Sequence, residues 1–134
     1  MSTTPRTEKG RVFSTVADAS HFTCCRGRIL IDGCAHAGQG DDFMNVRGTY
    51  SRIESFKDRR TALIDGRGWT IGATDTLWVV DRETMRRGAE LVVRRINKRN
   101  GGYEVEFTDT VPAEVTEGMF LENKTWTPEL VVRN

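Results

Sequence analysis

No run of 18 or more apolar residues occurs in the 134-residue chain, so no membrane-spanning helix is read in it and no membrane is expected as a partner. Net charge is nearly absent too. Twenty Lys and Arg stand against nineteen Asp and Glu, leaving +1, too little for the long-range positive field of a dedicated nucleic-acid binder. Aromatics make up only 8%, and none interleaves with the pairs Arg59-Arg60, Arg86-Arg87 and Arg94-Arg95. Those arginines read as a solvated face, and nucleic acid is not expected as a partner. Met1 to Gly10 lacks the apolar centre of a secretory leader and reads as a flexible arm, so the cytoplasm is the default compartment. Cysteine is scarce: Cys24, Cys25 and Cys34 are an odd number without paired Cys-x-x-Cys spacing, and adjacent cysteines rarely bridge each other. They read as small hydrophobes. A zinc site joining them to His21 and His36 lacks knuckle spacing, so neither a metal nor a cofactor is expected.

What the chain does have is an internal repeat. Ala17-Asp18-Ala19-Ser20-His21-Phe22 and Asp41-Asp42-Phe43-Met44-Asn45-Val46 align at an offset of 24 with similar residue types in the same order. A second match links Gly27-Arg28-Ile29-Leu30-Ile31-Asp32-Gly33 with Pro128-Glu129-Leu130-Val131-Val132-Arg133-Asn134, a short apolar strand closed by a turn residue. Short strands recurring at this period, separated by Gly, Asn and Asp, are what a parallel β-helix needs, since each coil buries its inner residues only by stacking on the next.

The intervening stretch has another character. Thr76–Val80, Glu90–Ile96 and Tyr103–Phe107 read as strands, and Asn100-Gly101-Gly102 joins the last two as a hairpin. Antiparallel strands with polar turns predict a small barrel or sandwich inserted between the rungs. Helix signals are thin, the best being Asp81 to Arg87, with Asp81 as a possible N-cap and Gly88 as its stop. The expected organisation is an arm over 1–10, rungs over 11–60, an inserted barrel over 61–118 and a returning rung over 119–134. The fold class is all-β.

Stacked rungs lie about 4.8 Å apart, so the repeat places Asp18 beside Asp42, with Asp41 adjacent. Like charges brought that close disfavour simultaneous ionisation, the condition under which one carboxyl stays protonated as a general acid while another serves as base. The same aspartates are equally explained as turn formers at coil corners. The register also stacks His21 on Asn45, either as a polar ladder suited to sugar hydroxyls or as an ordinary surface ladder.

Four ordered segments carry a resemblance: Ser14-Thr15-Val16-Ala17-Asp18-Ala19-Ser20-His21-Phe22, Cys25-Arg26-Gly27, Gly40-Asp41-Asp42-Phe43-Met44-Asn45-Val46-Arg47-Gly48-Thr49-Tyr50, and Trp126-Thr127-Pro128-Glu129-Leu130-Val131-Val132-Arg133-Asn134. Together they resemble an internal segment of the α-1,3-galactosidase family, glycoside hydrolase family 110. The resemblance implies a right-handed parallel β-helix with an inserted β-barrel. It implies Asp18 as general acid and Asp41 and Asp42 as the pair holding the attacking water in an inverting mechanism. His21, Asn45, Arg47 and Tyr50 are the expected substrate-binding residues. Two positions depart from the family pattern: Arg47 stands where His is usual, and Phe43 where a small residue is usual.

The expectation is therefore a truncated β-helix derived from a glycosidase, binding or hydrolysing terminal α-linked galactosides. The alternative is a non-enzymatic, oligomeric module that binds carbohydrate or protein. Open coil ends expose apolar residues and unpaired strand edges, so a homo-oligomer is expected in either case.

Overall fold

A computed structural model describes residues 2–133 of the chain; Met1 and Asn134, the outer ends of the expected arm and returning rung, lie outside the described residues. The elements are β-strands and two short 3-10 turns, Thr7–Lys9 and Gly68–Thr70, in keeping with the all-β expectation. Among the described residues no helix is long and apolar enough to cross a membrane. The strands are β1 (Ser2–Thr3), β2 (His21–Thr23), β3 (Arg28–Asp32), β4 (Ala35–His36), β5 (Asn45–Arg47), β6 (Tyr50–Asp58), β7 (Thr61–Ile64), β8 (Thr76–Val80), β9 (Arg87–Arg99), β10 (Gly102–Phe107), β11 (Phe120–Asn123) and β12 (Glu129–Arg133).

The chain divides into two units, one formed by Met1–Arg47 with Pro128–Asn134 and the other by Gly48–Thr127. In the first, all the ladders are parallel pairs: β1 with β4, β2 with β5, and β3 with β12. The registers repeat the sequence matches. His21 pairs with Asn45, Phe22 with Val46 and Thr23 with Arg47; Arg28 pairs with Glu129 and Asp32 with Arg133. The expected loose arm carries β1 and the first 3-10 turn.

The second unit is a closed antiparallel barrel in the order β10-β7-β6-β11-β8-β9. Closure leaves no free sheet edge, and the inward positions fill the interior. Ile53, Ile64, Leu77, Leu121, Val93, Val105 and Phe107 are almost wholly buried there. The strands read at 76–80, 90–96 and 103–107 are present as β8, part of β9, and β10. Asn100 and Gly101 make the turn between β9 and β10, with Gly101 at φ 84°, a conformation glycine adopts without steric cost. The barrel also takes in β6 and β11, which the expected boundaries placed in the flanking rungs over 11–60 and 119–134.

The helix at Asp81–Arg87 does not form. Asp81 does collect the expected capping bonds, its carboxylate accepting from the Thr84 N–H at 2.8 Å, the Thr84 hydroxyl at 2.7 Å and the Glu83 N–H at 3.1 Å. These bonds, with the Thr84 hydroxyl first in effect, hold its carboxyl below the ordinary aspartate value. The chain then enters β9 at Arg87, so the capping chemistry serves a tight turn between β8 and β9.

Candidate functional site

The three aspartates singled out in the sequence lie on loops fixed by backbone bonds between rungs, whereas His21, Asn45 and Arg47 lie on β2 and β5 and Tyr50 on β6. Ser14 N–H donates to the Gly38 carbonyl at 2.7 Å, Gly40 N–H to Thr15 at 3.0 Å, Ala19 N–H to Asp42 at 3.0 Å and Asn45 N–H to Ser20 at 2.9 Å. The Ser14 hydroxyl adds a bond to the Ala37 carbonyl at 2.7 Å. Main-chain bonds thus bracket Asp18 on one loop and Asp41 and Asp42 on the other.

Within that frame one carboxylate oxygen from each of Asp18, Asp41 and Asp42 lies within 4.8 Å of the others. Asp18 is half-buried, whereas Asp41 and Asp42 are exposed. An Asp41 carboxylate oxygen accepts the Asp42 N–H at 3.0 Å, a local bond of the kind that makes Asp common in turns. Among the described residues these three aspartates form the group of His, Cys, Asp or Glu side chains close enough to share a cation.

His21 extends the cluster. Its Nδ1 stands 3.8 Å from Asp18 Oδ2, too far for a direct hydrogen bond but close enough for charge attraction when the ring is protonated. Asn45, half-buried, is its register partner on β5, and Arg47, exposed, pairs with Thr23. Phe43, two residues beyond Asp41, packs edge-on against the His36 ring with centroids 4.9 Å apart. Tyr50 belongs to the barrel unit, where its ring lies 5.9 Å from that of Phe120.

Ser14, Ala19 and Gly40 stand within the matched sequence segments without an expected role at the site, where their backbone bonds join the loops. A signal for Gly40 existed in its type. A Cβ added there would come 2.8 Å from the Val16 carbonyl oxygen, so the close approach of the two loops requires glycine.

Several arginines of the barrel unit are tied to acceptors. Arg59 donates to the carbonyls of Val111, Pro112 and Val115, and Arg60 to that of Thr108. Arg87 makes a two-pronged pair with Glu122 at 2.7 Å and 2.7 Å while lying over the Trp78 ring. Arg94 and Arg95 share Glu106, and Arg99 pairs with Glu104.

The chain is all-β, with parallel rungs that bring the three carboxylates side by side, and comparison with known sequences shows which proteins it resembles. The chain is of glycosidase-related origin and resembles a segment of the α-1,3-galactosidases. It is 34% identical over 138 aligned positions to alpha-1,3-galactosidase A of Bacteroides fragilis, covering 97% of this chain and 23% of that protein. Against alpha-1,3-galactosidase B of Bacteroides thetaiotaomicron the identity is 34% over 139 positions, covering 97% of this chain and 22% of the relative. Alpha-1,3-galactosidase A of Shewanella woodyi is 26% identical over 141 positions, again covering 22% of its length. The chain thus spans less than a quarter of these relatives. No protein-family model matches it.

Proposed function

We propose that the chain carries the carboxylate centre of a site for terminal α-linked galactosides and hydrolyses them with inversion. The observation behind this reading is the convergence of Asp18, Asp41 and Asp42 in a chain that resembles proteins named as α-1,3-galactosidases. Asp18, the half-buried member, protonates the glycosidic oxygen as the bond from that oxygen to the anomeric carbon breaks. Asp41 and Asp42 hold a water between them; its oxygen attacks the anomeric carbon from the opposite face and its proton passes to a carboxylate. His21, Asn45 and Arg47, all in the rung unit, bind the sugar hydroxyls, and no cofactor takes part.

The test is turnover of a terminal α-1,3-galactosyl disaccharide by the 134-residue chain. Asp18→Asn is expected to cut the rate by about 10²-fold or more while leaving the circular dichroism unchanged. Turnover indifferent to that substitution rejects the assignment. Proton NMR of the first-formed anomer reads the stereochemistry, and retention rejects the inverting roles.

A second reading is binding without turnover, and the spacing favours it. Oxygens within 4.8 Å sit closer than the roughly 6.5–9.5 Å between the carboxyls of inverting enzymes. Calorimetric binding of the disaccharide without hydrolysis is the outcome that selects it.

A further inference from the structure

On β9 two consecutive arginines face the same way. Glu106 of β10 pairs with Arg95, yet the next residue, Phe107, pairs with Val93, so Arg94 is the extra residue of a β-bulge. Val93 and Ile96 on either side pack into or against the barrel core, while both arginines are exposed. A bulge re-aims a side chain that strict alternation would send to the other face. Arg94 Nη1 donates to Glu106 Oε1 at 3.1 Å, and Arg95 Nη2 donates to Glu106 Oε2 at 2.8 Å. Each guanidinium thus gives one N–H to one carboxylate oxygen, and among the described residues neither makes another hydrogen bond or ion pair. The other N–H groups of both forks are available to a ligand. The pair borders an open cavity of about 300 Å³ lined by Ala73, Arg94, Arg95, Ile96 and Glu106. Ala73 is brought there by the loop before β8, where the Thr74 N–H donates to the Val93 carbonyl at 2.8 Å and the Val93 N–H to the Asp75 carbonyl at 2.9 Å.

Two guanidiniums around one carboxylate leave a positive charge uncompensated. The same excess recurs two residues along β10, where Glu104 stands 3.1 Å from Arg99 Nη1 and 3.6 Å from Lys57 Nζ. Residues two apart on a strand share a face, so four cations meet two carboxylates on this side of the barrel. We propose that Arg94 and Arg95 form a binding site for a tetrahedral oxyanion, a phosphate or sulfate group, with Glu106 holding the two forks in place. A guanidinium fork pairs with an oxyanion through two parallel N–H···O bonds. The two oxygens of a carboxylate ligand are filled by one such fork, whereas the oxygens of a tetrahedral group accept from both. The cavity is larger than a single ion of this kind, which leaves room for the group that an ester carries. Arg99 and Lys57 add to the local potential that draws an anion in. The site lies in the barrel unit, uses none of the three aspartates and stands apart from the galactoside reading.

Inorganic phosphate and inorganic sulfate, titrated into the 134-residue chain at constant ionic strength, are expected to shift the Nε–H NMR signals of Arg94 and Arg95 to saturation. Acetate is expected to bind about tenfold more weakly than the better of the two. Arg94→Lys and Arg95→Lys keep the charge and lose the fork, and each is expected to weaken phosphate binding about tenfold or more. Arg99→Ala, outside the cavity, is the control and is expected to leave that affinity within about threefold. Methyl phosphate and methyl sulfate separate the two sources of the group. Binding tighter than that of the inorganic ions assigns the site to an ester, and equal or weaker binding assigns it to the free ion. Where a lysine variant fails to fold, the shifts in the native chain decide, because they name the arginines that are touched. Shifts that never saturate, shifts spread evenly over the exposed arginines, acetate binding as tightly as phosphate, or folded lysine variants that bind phosphate as the native chain does each overturn the proposal.

Discussion

Gly40 and Val16 approach so closely that a Cβ on Gly40 would lie 2.8 Å from the Val16 carbonyl oxygen. The contact sits one residue before Asp41 and beside the Gly40–Thr15 backbone bond, so it governs how near the two aspartate-bearing loops come. Gly40→Ala forces these backbones apart and is expected to cost about 1–3 kcal/mol. Gly48→Ala, with open space around the new methyl, is the control. Urea midpoints at unchanged m-value measure both, and a Gly40→Ala midpoint equal to that of the control would show that the approach is not a constraint.

Because main-chain bonds join the loops, the aspartate side chains are dispensable for folding. Asp18→Asn and Asp42→Asn remove a charge from a cluster of like charges and are expected to leave the melting temperature unchanged or raise it slightly. Asp41→Ala also loses the bond from the Asp42 N–H and is expected to lower stability by about 1 kcal/mol. Thermal melts of the three variants check the order, and unfolding of Asp18→Asn or Asp42→Asn contradicts it.

Glu90 accepts from Lys124 Nζ at 2.6 Å and from the Trp78 indole N–H at 3.0 Å. Lys124 first, then Trp78, hold its carboxyl below the ordinary value of 4.5. A depressed folded value means that its contribution to stability is complete above the unfolded carboxyl's value and is lost as pH falls through the folded one. The melting temperature is therefore expected to drop on acidification below about pH 5, with a shallower drop for Glu90→Gln. Identical pH profiles for the two proteins would remove Glu90 from that dependence.

Much of the rung unit was legible because stacking repeats residue type in register. Ser14 faces Gly38 across an offset of 24, and Arg133 pairs with Asp32 across 101, the two offsets visible in the sequence. The barrel's full extent was hidden. Along β6 Ser51 and Ile53 are buried, but the register shifts between Ile53 and Ser55 and Phe56 packs against the core, so the alternation that marks a half-buried strand is broken. In β11 Leu121 alone is fully buried, over only four residues. The carboxylate cluster was readable because one period placed its members side by side. Tyr50 follows the aspartates closely in sequence but belongs to β6 of the barrel, because Gly48 opens a unit with its own core.

Asp75 supplies a last test, on a buried polar knot that no sequence pattern marked. Only 4% exposed, it accepts the Gly72 N–H at 2.7 Å and the Asn123 side-chain amide at 2.8 Å. The same amide nitrogen donates to the Thr70 carbonyl at 2.8 Å, so one pair of side chains ties the loop before β8 to the end of β11. Asp75→Ala strands two donors without an acceptor, and is expected to cost about 1–3 kcal/mol. Asn123→Ala removes one of those donors along with the bond to Thr70, so the costs should not add. A double-mutant cycle is expected to show coupling of about 0.5–3 kcal/mol, and simple additivity would mean that the two side chains act independently.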